Sequence, residues 1–248
     1  DAETAQEKIE AEPGVKDKGK KKVKGTSELD DDIFDIFKFD MSKQDWIKSW
    51  KQDPHWAEST TPSPLAKDFV KKEKGNKTIG DILEVGCGNG RDAIYFAKQG
   101  HRVVGIDISS DAIKIAEQNR KKEKISSKKL TFEVGDVEEL EYDDEFFDGI
   151  YSISVLHDTK LKKSVPEISR VLKSKGIILL YLYYKTKFID QTEEDNNRTE
   201  IHFKIGDFEK ILTANDLQQI DKYKSETTDK DEDGTHQHFI VIYLLRKK

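Results

Sequence analysis

The stretch Ile82-Leu-Glu-Val-Gly-Cys-Gly-Asn-Gly90 decides the fold. Residues 82–85 read as a short buried strand, and three glycines follow at alternate positions. Glycine turns the chain sharply and lets backbone approach a ligand that a Cβ would repel. A helical pattern follows over 92–98, with Ala93, Phe96 and Ala97 on one face, and Gly100 ends it. Strand, glycine turn and helix in this order open a βαβ unit.

The pattern continues outward. Residues 103–106 form a second apolar strand ending in Asp107, and Ser109 or Ser110 caps a helix over 111–121. Further strands are expected at 130–134, 147–155 and 177–183, with a helix opened by Pro166 between the last two. Strands too apolar to have a wet face indicate a parallel sheet covered on both sides. Beyond a helix at 208–215, strands at 219–224 and 238–246 are too close for a helical crossover and form an antiparallel hairpin. The expected fold is α/β, a doubly wound, mostly parallel, Rossmann-like sheet with one reversed strand.

Asp107 lies 23 residues after Glu84, at the carboxyl end of the next strand, where a carboxylate can accept both hydroxyls of a ribose. The glycine spacing is G-x-G-x-G, whereas a dinucleotide site reads G-x-G-x-x-G, and no P-loop is present. Glu84 before the turn disfavours a pyrophosphate and suits a cationic ligand. S-adenosylmethionine, with its ribose, sulfonium and ammonium, meets these demands.

Four strings then line up: Ile82 to Gly90, Val104-Gly-Ile-Asp-Ile-Ser109, Gly135-Asp-Val137 and Phe147-Asp-Gly-Ile-Tyr-Ser152. In this order they resemble the motifs of class I S-adenosylmethionine-dependent methyltransferases, over about residues 60–248. The resemblance implies seven strands, the last antiparallel. It implies that Gly86 and Gly88 line the methionine part, Asp107 holds the ribose and Ile108 packs on adenine. Asp136 would meet the adenine amino group with Val137 beside it, and Ser152 would sit near the departing methyl. Gly88-Asn-Gly-Arg-Asp92, with Trp46, Trp50, Trp56 and Ser63-Pro-Leu65, is similar to the thiopurine and tellurite-resistance methyltransferases. That likeness implies a small-molecule acceptor, with soft S, Se or Te nucleophiles foremost, under an aromatic segment that closes over the site. It departs from them in a long polar tail and in His55 before Trp56.

His157 follows the fourth strand, where an acceptor would lie, and is the candidate general base. Trp50 and Trp56 are candidates for a lid, and Tyr184 for the rim. Cys87 has nothing basic beside it in sequence, so it is not expected to act as a nucleophile. His236 and His238 alternate on the last strand with no third ligand near them, so no metal is expected. Asp229 to Gly234 imitates a calcium loop, but position 240 is Ile240 where the loop needs Glu, so a hairpin turn is expected.

Residues 1–32 hold seven lysines and ten acids with four large apolar residues, too few to offset the entropy of ordering. A disordered tail is expected there, an aromatic helical segment over 33–75 and the catalytic domain over 76–248. A net charge of −6 argues against a surface built to coat nucleic acid, and no run reaches the roughly 18 apolar residues that span a bilayer. One cysteine permits no internal disulfide, in keeping with a reducing, cytoplasmic setting. No obligate protein partner is evident. The alternatives to a small-molecule enzyme are methylation of protein or RNA, and a cofactor-binding partner protein without catalysis.

Overall fold

The computed structural model describes residues 42–52, 59–72, 80–189, 198–231 and 234–248. They fall within the compact unit Ile36–Lys248. The expected tail, the first part of the aromatic segment up to residue 41 and Trp56 lie outside the described residues.

The sheet has the strand order β3-β2-β1-β4-β5-β8-β7. Its parallel strands are β1 (Asp81–Val85), β2 (Arg102–Asp107), β3 (Leu130–Val134), β4 (Phe147–Ile153) and β5 (Leu172–Ile189). These pair in parallel, with β1 between β2 and β4. Strand β8 (Gly234–Lys247), the last in the chain, runs antiparallel between β5 and the edge strand β7 (Leu217–Asp231). An eighth strand, β6 (Thr199–Ile201), pairs antiparallel with β5 off the main path. The resemblance implied seven strands; β6 is added because β5 runs on past the core, and its exposed end needs backbone partners.

Helices cover both faces. Alternate residues of one strand serve opposite cores: Ile82 packs with Phe69, Phe96 and Ile113, while Leu83 packs with Val165, Ile168 and Phe208. The first core lies under α2 (Pro64–Lys72), α3 (Arg91–Lys98) and α4 (Ser110–Lys122), the second under α5 (Leu161–Val171) and α6 (Ile205–Ala214). Local chemistry sets the helix starts. Ser63 Oγ accepts the Ala66 N–H and Pro64 takes the first helical position of α2. In α1 (Lys43–Gln52), Ser42 and Asp45 exchange reciprocal bonds of 3.0 and 3.3 Å in a capping box. No helix among the described residues is long and apolar enough to cross a membrane.

Two expectations are corrected. Pro166 does not open its helix: α5 starts at Leu161, and Pro166 sits inside it. Burial of Val165, Ile168 and Val171 offsets the backbone bond that proline removes. The terminal hairpin is also longer than its apolar pattern indicates. β7 and β8 are paired from Leu217↔Lys247 to Asp231↔Gly234, so the acidic run at 229–231 is strand, not turn. Asp229 therefore stands opposite His236, and a third ligand group lies beside the two histidines after all.

Phe96 is fully buried, with ring centroids 5.8 Å from Phe69 and 5.1 Å from Tyr151. Phe96→Ala is expected to cost about 3–5 kcal/mol, read as a lowered urea midpoint at unchanged slope.

Candidate active site

The turn after β1 is shaped by two glycines in the left-handed region, Gly86 at φ 70° and Gly88 at φ 52°. A Cβ on Gly86 would come within 2.1 Å of Val155, and one on Gly88 within 2.8 Å of the Trp50 ring. Both positions thus need glycine for backbone shape and for space. The turn is tied to the end of β2. Asp107 accepts the Gly88 N–H at one oxygen and the Ser109 N–H at the other, each at 2.9 Å, and the Cys87 N–H binds the Ile106 carbonyl at 2.9 Å.

A cavity of about 340 Å³ opens beside this turn, at the carboxyl ends of β1, β2 and β4. Parallel strand order reverses between β1 and β4, and this is where open α/β sheets bind ligands. Of the residues expected to hold a cofactor, Glu84, Gly86, Gly88, Asp107, Ile108, Asp136 and Val137 all line it. Glu84 is buried, and its Oε2 has no hydrogen-bond partner among the described residues. Burial, with Asp92 and Asp107 nearby, pushes its carboxyl well above the usual range. Burial also raises the Asp107 carboxyl, against the pull of its two backbone donors.

Three expected site residues are elsewhere. Ser152 is buried in β4 and donates to the Val85 carbonyl at 3.2 Å; Ile153, Ser154 and Val155, beyond it, line the cavity instead. Tyr184 is not on the lining; it packs near Phe239 and Lys224. A register shift between Tyr183 and Lys185 disturbs the simple alternation, and Tyr183 is the tyrosine that bonds cavity-lining Ser154 and packs 4.8 Å from the His157 ring. His157 is buried behind the wall, with Nε2 3.5 Å from Asp158 Oδ2 and no partner for Nδ1 among the described residues. Asp158 and Thr159 reach the cavity there instead. Cys87 lines the cavity, but burial raises its thiol well above its usual value, which fits an unreactive role.

The sequence reading gave no site role to Lys43, Asp158 or Asp92. Lys43 pairs with Asp136 and, at 3.3 Å, with Glu138. Trp46, on the same helix, donates its indole N–H to Asp158 at 3.2 Å, and Trp50 lies against Gly88. Helix α1 thus touches three loops around the cavity mouth, with Trp46 and Trp50 in its lining. Asp92, buried at the start of α3, binds Arg91 through both oxygens and accepts the Ser63 N–H at 2.8 Å. The acid in Arg91-Asp92 and the Ser before Pro64 were visible in sequence; their pairing across 29 residues was not.

A sequence profile for the methyltransferase domain matches residues 77–225. The chain belongs to the methyltransferase-domain family. It is 33% identical over 166 residues to a sterol 24-C-methyltransferase of Gibberella zeae, a match spanning 64% of this chain and 43% of that protein. It is 27% identical over 146 residues to the probable S-adenosylmethionine-dependent methyltransferase CRG1 of Saccharomyces cerevisiae, over 58% of this chain and 48% of that one. The chain thus spans less than half the length of these curated relatives. Its fold is shared with the geranyl diphosphate C-methyltransferase of Streptomyces coelicolor, at TM-score 0.60 and 13% identity over 83% of this chain and 98% of that one. It is shared too with an S-adenosylmethionine-dependent methyltransferase of Methanosarcina mazei, at TM-score 0.57 and 20% identity over 75% and 98%.

The methyltransferase domain carries a pH dependence in its imidazoles. Burial holds His157 well below its ordinary 6.5, and burial holds His202 down to about 4. The unfolded chain takes up these protons near pH 6.5 and the folded chain does not, so stability falls as pH drops below that value. Each histidine contributes a slope of about 1.4 kcal/mol per pH unit, ending for His202 near pH 4. The raised carboxyls of Glu84 and Asp107 act in the opposite sense. The measurement is therefore a comparison: His157→Phe and His202→Gln should each flatten the loss of denaturant stability between pH 6.5 and 5 relative to the parent.

Proposed function

We propose that the chain is an S-adenosylmethionine-dependent methyltransferase acting on a small molecule held under α1. The observation that carries this reading is the joining of Glu84, the Gly86–Gly88 turn, Asp107 and Asp136 in one cavity. The cavity's chemistry fits the cofactor: unpartnered, buried Glu84 Oε2 calls for a cationic donor, and the glycine turn offers backbone without side chains. Glu84 would take the ammonium group. Asp107 would take the ribose hydroxyls on lone pairs its two backbone donors leave free. Ile108 and Val137 would flank adenine, and Asp136 would receive its amino group in place of Lys43.

The bound cofactor supplies an electrophilic methyl on a sulfonium. What the protein adds is alignment and exclusion of water. Trp46 and Trp50 would wall the acceptor and favour positive charge that builds on it, and Asp158 would oppose that charge. His157, behind Asp158, would act by orienting it rather than by touching the acceptor. This arrangement suits an apolar acceptor attacking through carbon, and the relatives named as sterol 24-C-methyltransferases favour a sterol-like molecule. A soft S, Se or Te nucleophile is the second reading, because such a group needs no base in contact and His157 is withdrawn from the lining.

Asp107→Ala should lower cofactor affinity about tenfold to a hundredfold by calorimetry, with the circular dichroism spectrum unchanged. Unchanged affinity in the folded variant overturns the cofactor assignment. Turnover of sterols, thiols and metalloid oxyanions, with peptides and RNA as further arms, then assigns the acceptor; cofactor binding without turnover on any of them leaves a non-catalytic binding protein.

A further inference from the structure

One face of the β7–β8 hairpin, outside the lining of the methyl-transfer cavity, gathers two imidazoles and a carboxylate. Register places Asp229 directly opposite His236 and diagonal to His238, with one intervening residue between the histidines, so all three side chains share one face. His238 Nε2 is 3.1 Å from Asp229 Oδ1, and His236 Nδ1 is 4.0 Å from the same oxygen. One donor atom from each residue falls within 4.8 Å of the others. Both imidazoles are largely enclosed, at 11% and 12% side-chain exposure, while Asp229 faces solvent at 55% and gives a path of entry.

We propose that Asp229, His236 and His238 bind a divalent cation of the zinc class. Tetrahedral zinc, with ligand bonds of about 2.0–2.2 Å, sets neighbouring donors about 3.4 Å apart, between the two distances found. Two imidazoles and one carboxylate leave the fourth position to water, and this mixed donor set suits zinc before magnesium or calcium, which take oxygen.

The surroundings supply what a metal-binding imidazole requires. His238 Nδ1 lies 3.0 Å from Thr186 Oγ1, the residue paired with it on β5, and that hydroxyl lies 2.9 Å from His202 Nε2. A metal on Nε2 puts the ring proton on Nδ1, where it is donated to Thr186; the hydroxyl then donates on to His202. A threonine hydroxyl serves both directions of this chain, so the tautomer that metal binding demands costs no lost hydrogen bond. The His238 ring is also fixed by stacking on Tyr183 at 4.3 Å between centroids. A bound cation would pin the outer halves of β7 and β8 to each other and, through Thr186, to β5.

The test uses the full chain, stripped with chelator and titrated with Zn²⁺ by calorimetry and with Co²⁺ by visible absorption. The expected result is one saturating equivalent with the intense d–d bands of tetrahedral cobalt. Asp229→Asn and His238→Ala should each weaken Zn²⁺ at least about a hundredfold, and Thr186→Val about tenfold to a hundredfold. S-adenosylmethionine affinity, measured on the same variants, reports folding without depending on the metal. Asp229 is exposed, so Asp229→Asn carries the test even where His238→Ala fails to fold. A parent chain with no saturable Zn²⁺ binding overturns the proposal and leaves an Asp–His–Thr hydrogen-bond chain only. So does one equivalent that survives Asp229→Asn and His238→Ala alike.

Discussion

Asp107 holds the site together before any ligand enters it. One carboxylate oxygen takes the N–H of Gly88 and the other that of Ser109. The first bond fixes the turn that leaves β1; the second fixes the chain between β2 and α4, where Ser109 Oγ caps the helix through Ala112. A single buried side chain therefore sets the spacing between two strand ends. Placing it costs desolvation, visible in its raised carboxyl, which the two backbone donors only partly offset. Such a cost persists where a site needs acceptor oxygens already aimed.

Helix α1 depends on that frame. Its contacts go to Asp136 and Glu138 after β3, to Asp158 after β4 and to Gly88 after β1. The helix thus bridges the three loops, two of which are also joined directly where the Lys160 N–H donates to Glu138 at 2.9 Å. Because Lys43 occupies Asp136, any ligand that claims Asp136 competes with the first turn of α1. Loss of that bond leaves the Lys43–Glu138 pair, Trp46 and Trp50 to hold the helix. Ligand entry and helix position are thereby linked through one ion pair.

What the sequence made legible was whatever repeats at short range. The strand, glycine turn and helix at 82–98 and Asp107 at a strand end rest on neighbours in the chain, and they stand where expected. The paired carboxylate of Asp136 and the apolar Ile108 and Val137 followed from a motif order and also line the cavity. Side chains that miss it were misread for local reasons. Ser152 was placed by its motif, but the strand's pleat turns its hydroxyl to the Val85 carbonyl; a register shift after Tyr183 defeats the alternation that would put Tyr184 on the rim. The contacts of Lys43, Asp158 and Asp229 could not be read from the sequence, because each meets a partner that only the tertiary structure brings near. Strand lengths misled as well: polar residues continue β7 well past its last apolar position, because β8 pairs with it as far as Asp231↔Gly234.

The length of β7 raises a different matter, which is what an outermost strand of fifteen residues presents to other chains. Among the described residues nothing pairs with its outer side, and an open strand edge can template another chain. Along Asp221-Lys-Tyr-Lys-Ser-Glu226 and again at Asp229-Lys230, charges of both signs stand on the rim at nearly every step, so a second copy laid alongside would have to desolvate them. The opposite border, β3, has only five residues and offers little to pair with. The sheet thus guards one border with charge and the other with brevity, and Ile220 and Tyr223 are the exposed apolar positions on the long border where that guard is thinnest.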